Sequence, residues 1–152
     1  MRRRAGRRLA ALAWRLHRWI YRTSGGRLGG CIAGMPVLLL ATMDRHTGRR
    51  RETVLTFLRD GDDLVVIASN GGAPRHPRWL LNLRAHPAAE VRLGGRRIPV
   101  RTREATGPER ERLWARAVQT YRGYAVYQAR TSRRIPVVLL SPGAPSPKRV
   151  YP

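Results

Sequence analysis

What this sequence lacks narrows its function quickly. It has a single cysteine, Cys31, so no internal disulfide can form and nothing points to an oxidising compartment. Cys31 reads as an inert small hydrophobe. Carboxylates are scarce, nine Asp and Glu in all, too few for a strong cation cage. The four histidines, His17, His46, His76 and His86, are scattered without ligand spacing, so no metal is expected. There is no HExxH, no CxxC, no nucleophile elbow and no phosphate loop ending in GKS or GKT. Metalloenzyme and hydrolase chemistries drop out. The uncharged stretch from Leu28 to Met43 is broken by Gly29, Gly30, Gly34 and Pro36. It is also shorter than the ~20 apolar residues of a spanning helix.

Arginine is abundant. Of 31 basic residues only Lys148 is lysine, and the formal charge is +22. A polyanionic partner is one explanation: nucleic acid, an anionic membrane or an acidic coenzyme. A GC-rich genome is the other, since Phe occurs once and Asn only at positions 70 and 82. Both explanations stand at this level. The scarcity makes Asn70 and Asn82 informative. With 42% apolar residues over 152 positions, the chain is long enough for one domain with its own core.

Three segments are expected: a basic N-terminal helix over residues 1–27, a folded domain over 28–142 and a proline-rich tail over 143–152. In the first, Leu9, Leu12, Leu16, Trp19 and Ile20 recur at helical spacing, opposite Arg7, Arg8, Arg15, Arg18 and Arg22. Arg15, His17 and Arg18 interrupt any signal-peptide core. Such a helix can pack on the domain or rest on an anionic membrane surface. The domain reads as short strands: Val37–Ala41, Thr53–Leu58, Leu64–Ala68, Ala89–Leu93, Ile98–Thr102 and Ile135–Leu140. Helices are expected over Arg78–Arg84, from a capping box at Thr106 and Glu109 to about Gln119, and over Tyr121–Gln128. Six or so evenly spaced strands with few helices predict a mainly β, closed or nearly closed antiparallel barrel.

Three stretches could carry chemistry. The run Asp44 to Thr53, with Arg45, His46, Thr47, Gly48 and Arg51, can form a cationic turn that holds an anion. By pattern alone, a solvated basic hairpin is the better reading. The run Ala68 to Trp79 leaves a strand and enters a helix. Its Gly71 and Gly72 permit close approach to a flat ligand, and the helix start near Pro77 and Arg78 offers N–H groups. Taken alone it is an ordinary loop. Tyr121, Tyr124 and Tyr127 share an arc of the expected helix and can line a pocket, although half-buried packing explains them equally. A chain poor in acid–base residues but rich in cations and aromatics suits a cofactor that brings its own chemistry.

Taken together and in order, these runs resemble the deazaflavin-dependent nitroreductase family, which uses coenzyme F420 and includes actinobacterial quinone reductases. The matching pieces are Leu38-Leu39-Leu40, the Arg45-to-Arg51 loop, Asp60-Gly61-Asp62, Ala68 to Pro74, Trp79 to Leu83, and Tyr127 to Thr131 with Arg134-Ile135-Pro136. The resemblance implies a split β-barrel, akin to flavin-binding barrels, with the coenzyme in a surface groove. It implies that Arg45, His46, Thr47 and Arg51 hold the phosphate end, with Thr53, Val54, Leu55 and Thr56 along the following strand. It implies that Ile67, Ala68, Ser69 and Asn70 line the deazaflavin ring, and that Arg78, Trp79, Leu80, Leu81 and Asn82 close over it. Tyr121, Tyr124 and Tyr127 would line the acceptor pocket, with Tyr124, Tyr121 or Ser69 stabilising charge on the acceptor. Asp44 stands where the family commonly has glycine, and Glu52 adds a second acid beside the phosphate site. Val54 replaces a frequent proline, while Thr56 and Leu80 replace frequent tyrosines.

The expected function is therefore hydride transfer from reduced coenzyme F420 to a small organic acceptor of quinone, nitroaromatic or enone type, on the cytoplasmic side. FMN is the less favoured cofactor. The competing classes are a noncatalytic flavin or deazaflavin carrier and a basic nucleic-acid binder. The latter lacks any recognition motif, so no specific nucleic-acid partner is expected.

Overall fold

The computed structural model describes residues 31–32 and 34–143. The expected N-terminal helix and residues 144–152 of the tail lie outside the described residues. None of the described helices is long and apolar enough to cross a membrane.

The apolar runs form strands, as their β-branched content favours. In order, the elements are β1 (Cys31–Ile32), β2 (Met35–Met43), β3 (Arg50–Thr56), β4 (Leu58–Asp60), β5 (Asp63–Ile67), a 3₁₀ turn (Asn70–Gly72), α1 (Arg78–Ala85), β6 (Ala88–Leu93), β7 (Arg96–Glu104), α2 (Gly107–Thr120), α3 (Gly123–Ala129) and β8 (Val137–Pro142). Eight strands replace the expected six. The expected Thr53–Leu58 strand splits at Phe57, and Cys31–Ile32 adds a short pairing to Met35 and Pro36.

All pairings among the described strands are antiparallel, and the order is β1-β2-β6-β7-β8-β5-β4 with β3 on the other side of β2. β3 and β4 therefore lie at opposite ends of the sheet, yet only Phe57 separates them in sequence. The sheet must curl to bring its two ends near each other, in keeping with the nearly closed barrel expected from the strand pattern and the split barrel implied by the resemblance. The β6–β7 hairpin turns at Gly94 and Gly95, both at positive φ (55° and 82°), as a two-residue reversal requires.

Side chains alternate across the curl. Leu38, Leu40, Leu64, Val66, Val138 and Leu140 face inward, where α1 adds Trp79, Leu80 and Leu83. Val65, Ile67, Val137 and Leu139 face outward onto Leu113, Ala117 and Tyr124 of α2 and α3. Strands covered on both faces need no polar alternation, which explains the unbroken runs around Leu38-Leu39-Leu40 and Val137 to Leu140.

Two local expectations are corrected. Thr106 does precede α2, but its side chain makes no capping bond. Glu109 instead takes a two-pronged bond from Arg103, at 2.6 and 2.8 Å, a stronger partner than a backbone amide. The helix expected from Tyr121 begins at Gly123, so Tyr121 lies in the turn between α2 and α3.

Candidate functional site

A groove of about 760 Å³ opens where β3, the loop after β5, the start of α1 and the tyrosines around α3 converge. That volume suits a small organic ligand. Thr53, Val54, Leu55 and Thr56 of β3 form one wall; Ile67, Ser69, Asn70 and Gly71 form the next. Arg78 and Trp79 close the α1 side, and Tyr121, Tyr124 and Tyr127 stand opposite. No carboxylate lines the groove among the described residues.

Other predicted residues lie elsewhere. Ala68 and Leu80 are fully buried in the barrel core, because strand and helix alternation turn them away from the groove. Leu81 is half-buried and does not line it. Asn82 is buried too, but has a polar task. Its Nδ2 donates to the Thr42 hydroxyl at 3.2 Å and its Oδ1 accepts from the Arg45 backbone at 3.2 Å. Asn82 thus ties α1 to the arginine turn instead of touching the groove.

The turn itself, with Arg45, His46 and Thr47 exposed, lies beyond the groove's lining. Arg51 leads from it into β3, which from Arg51 to Thr56 extends about 17 Å at ~3.3 Å per residue. Asp44 builds this turn. Its Oδ1 accepts from the backbone N–H groups of His46 (3.1 Å) and Thr47 (3.0 Å), and Arg51 approaches its Oδ2 at 3.4 Å. Those two amides, aided by Arg51, hold the Asp44 carboxyl down at about 2. Glu52 is likewise engaged by Arg50, which also binds Glu90 at 2.7 Å. Neither acid confronts an incoming anion bare, whereas Arg45 and Arg49 have no ion-pair partner among the described residues.

The loop wall is held by a residue that sequence reasoning missed. Arg133, just before β8, donates from Nε to the Ala73 carbonyl (2.9 Å), from Nη1 to Ala68 (3.2 Å) and from Nη2 to Ser69 (2.7 Å). Nη1 also lies 3.2 Å from His76 Nδ1, and His76 lines the groove. Asn70, Gly71 and Gly72 all sit at positive φ, and Asn70 is the one non-glycine to do so among the described residues. Asparagine tolerates that conformation better than most, and its Nδ2 bonds the Arg75 carbonyl at 3.0 Å. Gly71 is open to the groove, as expected. Gly72 is not, because it packs on α3. An added Cβ would fall 2.6 Å from the Tyr127 carbonyl oxygen.

The tyrosines form a compact aromatic wall. Tyr124 is buried, and its hydroxyl shares a 2.9 Å hydrogen bond with Thr56. Burial raises its pKa above the usual phenol value. The Tyr121 and Tyr127 hydroxyls lie 3.4 Å apart, and chiefly for that reason Tyr127 is pushed up to about 12. The Tyr121 ring lies directly over Gly123, where a Cβ would meet its Cε1 at 2.2 Å. Gly123 is thus a second shaping residue that no sequence signal revealed.

The donor set fits a flat ring with an anionic tail. The slot is apolar and glycine-edged, its polar lining is neutral or cationic, and an arginine turn stands at the start of β3. A family model for F420H(2)-dependent quinone reductase matches residues 13–142. An F420H(2)-dependent quinone reductase of Mycobacterium tuberculosis is 44% identical over 131 residues, which cover 84% of this chain and 88% of that protein. Among solved structures, an F420-H2 dependent reductase superposes with a TM-score of 0.64 at 36% identity, covering 70% of this chain and 94% of its own. A second, described as a domain-swapped dimer, reaches a TM-score of 0.66 at 31% identity over 88% of this chain and 98% of its own. The chain belongs to the F420H(2)-dependent quinone reductase family.

Proposed function

We propose that this protein uses reduced coenzyme F420 to reduce a quinone, and that it accepts nitroaromatics of similar shape. The carrying observation is that β3 joins the arginine turn to the groove, so a single ligand can meet cations at one end and an apolar slot at the other. When bound, the coenzyme supplies a hydride.

The chain's own part is binding, orientation and charge control. Arg45, Arg49 and Arg51 attract the anionic tail. Ser69, Asn70 and Gly71 present polar edges to the ring, with Trp79 packed beside them. The tyrosine wall stacks the acceptor and excludes water, and positioning of this kind accounts for much of the rate. As the acceptor gains negative charge, the Tyr121 hydroxyl donates a hydrogen bond to its oxygen and Tyr127 donates in turn to Tyr121. With Tyr127 at about 12, this phenol keeps its proton at neutral pH. It stabilises charge by hydrogen bonding, while water delivers the proton. Tyr124, bonded to Thr56, buttresses Tyr121 through an edge-on contact with centroids 5.3 Å apart. The basic N-terminal helix expected over residues 1–27 would rest on an anionic cytoplasmic membrane surface, where lipid-soluble quinones are at hand.

The test is optical. Titration with F420 should give a saturable fluorescence change that weakens with salt, and the reduced coenzyme should be consumed on adding menadione. Arg51→Ala should weaken coenzyme binding about tenfold. Binding without turnover would favour a carrier, saturation by FMN alone would replace the cofactor, and affinity for DNA alone would end the enzyme reading.

A further inference from the structure

We infer that His76 is a hydrogen-bond donor to the bound coenzyme, held as a neutral imidazole with its hydrogen on Nε2 by Arg133. The inference rests on the proposed coenzyme site and adds a residue to it.

A guanidinium can only donate. With Arg133 Nη1 3.2 Å from His76 Nδ1, that nitrogen must accept, so the ring hydrogen lies on Nε2. A protonated ring would set an N–H against an N–H. Arg133 cannot easily turn aside, because its other bonds hold the carbonyls of Ala68, Ser69 and Ala73. The surrounding charges agree. Burial first, then Arg84 of α1 and Arg133, lower the His76 pKa from its usual value, against Glu104 of β7. Glu104 is itself held by Arg84, at 2.6 and 3.1 Å.

His76 lines the groove beside Arg78, and Nε2 has no hydrogen-bond partner among the described residues. The pair divides the work: Arg78 supplies charge, and His76 supplies one directed, neutral donor. Its complement is an acceptor oxygen of the coenzyme, either a ring carbonyl or the phosphodiester.

Nitrogen-15 NMR of the full, coenzyme-free chain reads the state directly. His76 should appear as the Nε2–H tautomer at pH 7, with a titration midpoint below the ordinary ~6.5. The opposite tautomer, or a protonated ring at pH 7, overturns the inference. Binding gives the second readout. His76→Phe should weaken F420 binding roughly tenfold, the value of one directed hydrogen bond, while His76→Gln should retain most of it. Repeating the titration with a deazaflavin lacking the phosphate tail separates the acceptors. A loss with both ligands marks a ring carbonyl, and a loss with the full coenzyme alone marks the phosphodiester. If the wild type binds and His76→Phe binds equally well, this inference fails while the coenzyme reading stands. If the wild type does not bind, both fall.

Discussion

The two ends of the site are built in opposite ways. The arginine turn is local: Asp44 folds its own loop through the amides of His46 and Thr47, within three residues. The Ser69–Arg78 loop is tertiary, since the cation that shapes it, Arg133, arrives from about 60 residues away. The turn is exposed and its ion pairs are screened, so it can exchange one anion for another cheaply. The loop is half-buried and strained at Asn70, so its shape depends on the barrel behind it. Charge capture and ring placement are thus assigned to a soft part and a stiff part.

The sharpest way to break this comparison is Arg133→Met. It removes three bonds to loop carbonyls, worth about 1 kcal/mol each, and strands Ala68 O inside the core. Stability should fall by about 3 kcal/mol, or roughly 10 °C in Tm, with coenzyme binding lost at the temperature where the wild type saturates. Calorimetry and fluorescence titration measure both. If Tm holds while binding disappears, the loop is not supported as argued. If neither changes, the clamp has no energetic role.

The same contrast explains what was legible in the sequence. Local signals translated well. The apolar runs became strands within a few residues of their expected limits, and α1 began at Arg78. The rare asparagines both carry structural tasks, Asn70 through its left-handed backbone and Asn82 through its bridge to Arg45. Signals that depend on distant partners did not translate. Nothing near Arg133 distinguishes it from Arg130 or Arg134, because its partners are brought to it only by the β5–β8 pairing. Tyr121 met its expected neighbours from a turn and not from a helix face, and Gly72 serves α3 and not the ligand. Leu80 and Ala68 were expected at the groove, but burial periodicity turned them inward.

An intermediate effect is expected from Gly123→Ala, which probes the tyrosine wall that faces the stiff loop. The new methyl would overlap the Tyr121 ring, with Cε1 at 2.2 Å and Cζ at 2.3 Å, so the ring must swing away. Because the clash falls on the far end of a half-buried side chain, the ring can move at little cost to stability. The acceptor wall should open, raising KM for menadione while the affinity for F420 changes less than twofold. An equal loss in both would mean that the tyrosine wall also positions the coenzyme, and would blur the division between the two ends.

The smallest effect belongs to the soft end. Asp44→Asn keeps an acceptor oxygen for the His46 and Thr47 amides but removes the charge facing Arg51. The turn should persist, and F420 affinity should rise slightly because Arg51 is released. Acid separates the two contributions. The Asp44 carboxyl is depressed from 3.8 to about 2, so the order it confers is complete above its ordinary value and disappears as pH falls through about 2. Amide exchange at His46 and Thr47 should therefore accelerate in that window in the wild type, and show no such step in Asp44→Asn. A step that survives the substitution would assign the turn's order to another carboxylate. A global loss of protection at the same pH would show that the turn does not open independently of the loop, and the contrast between a local end and a tertiary end would no longer hold.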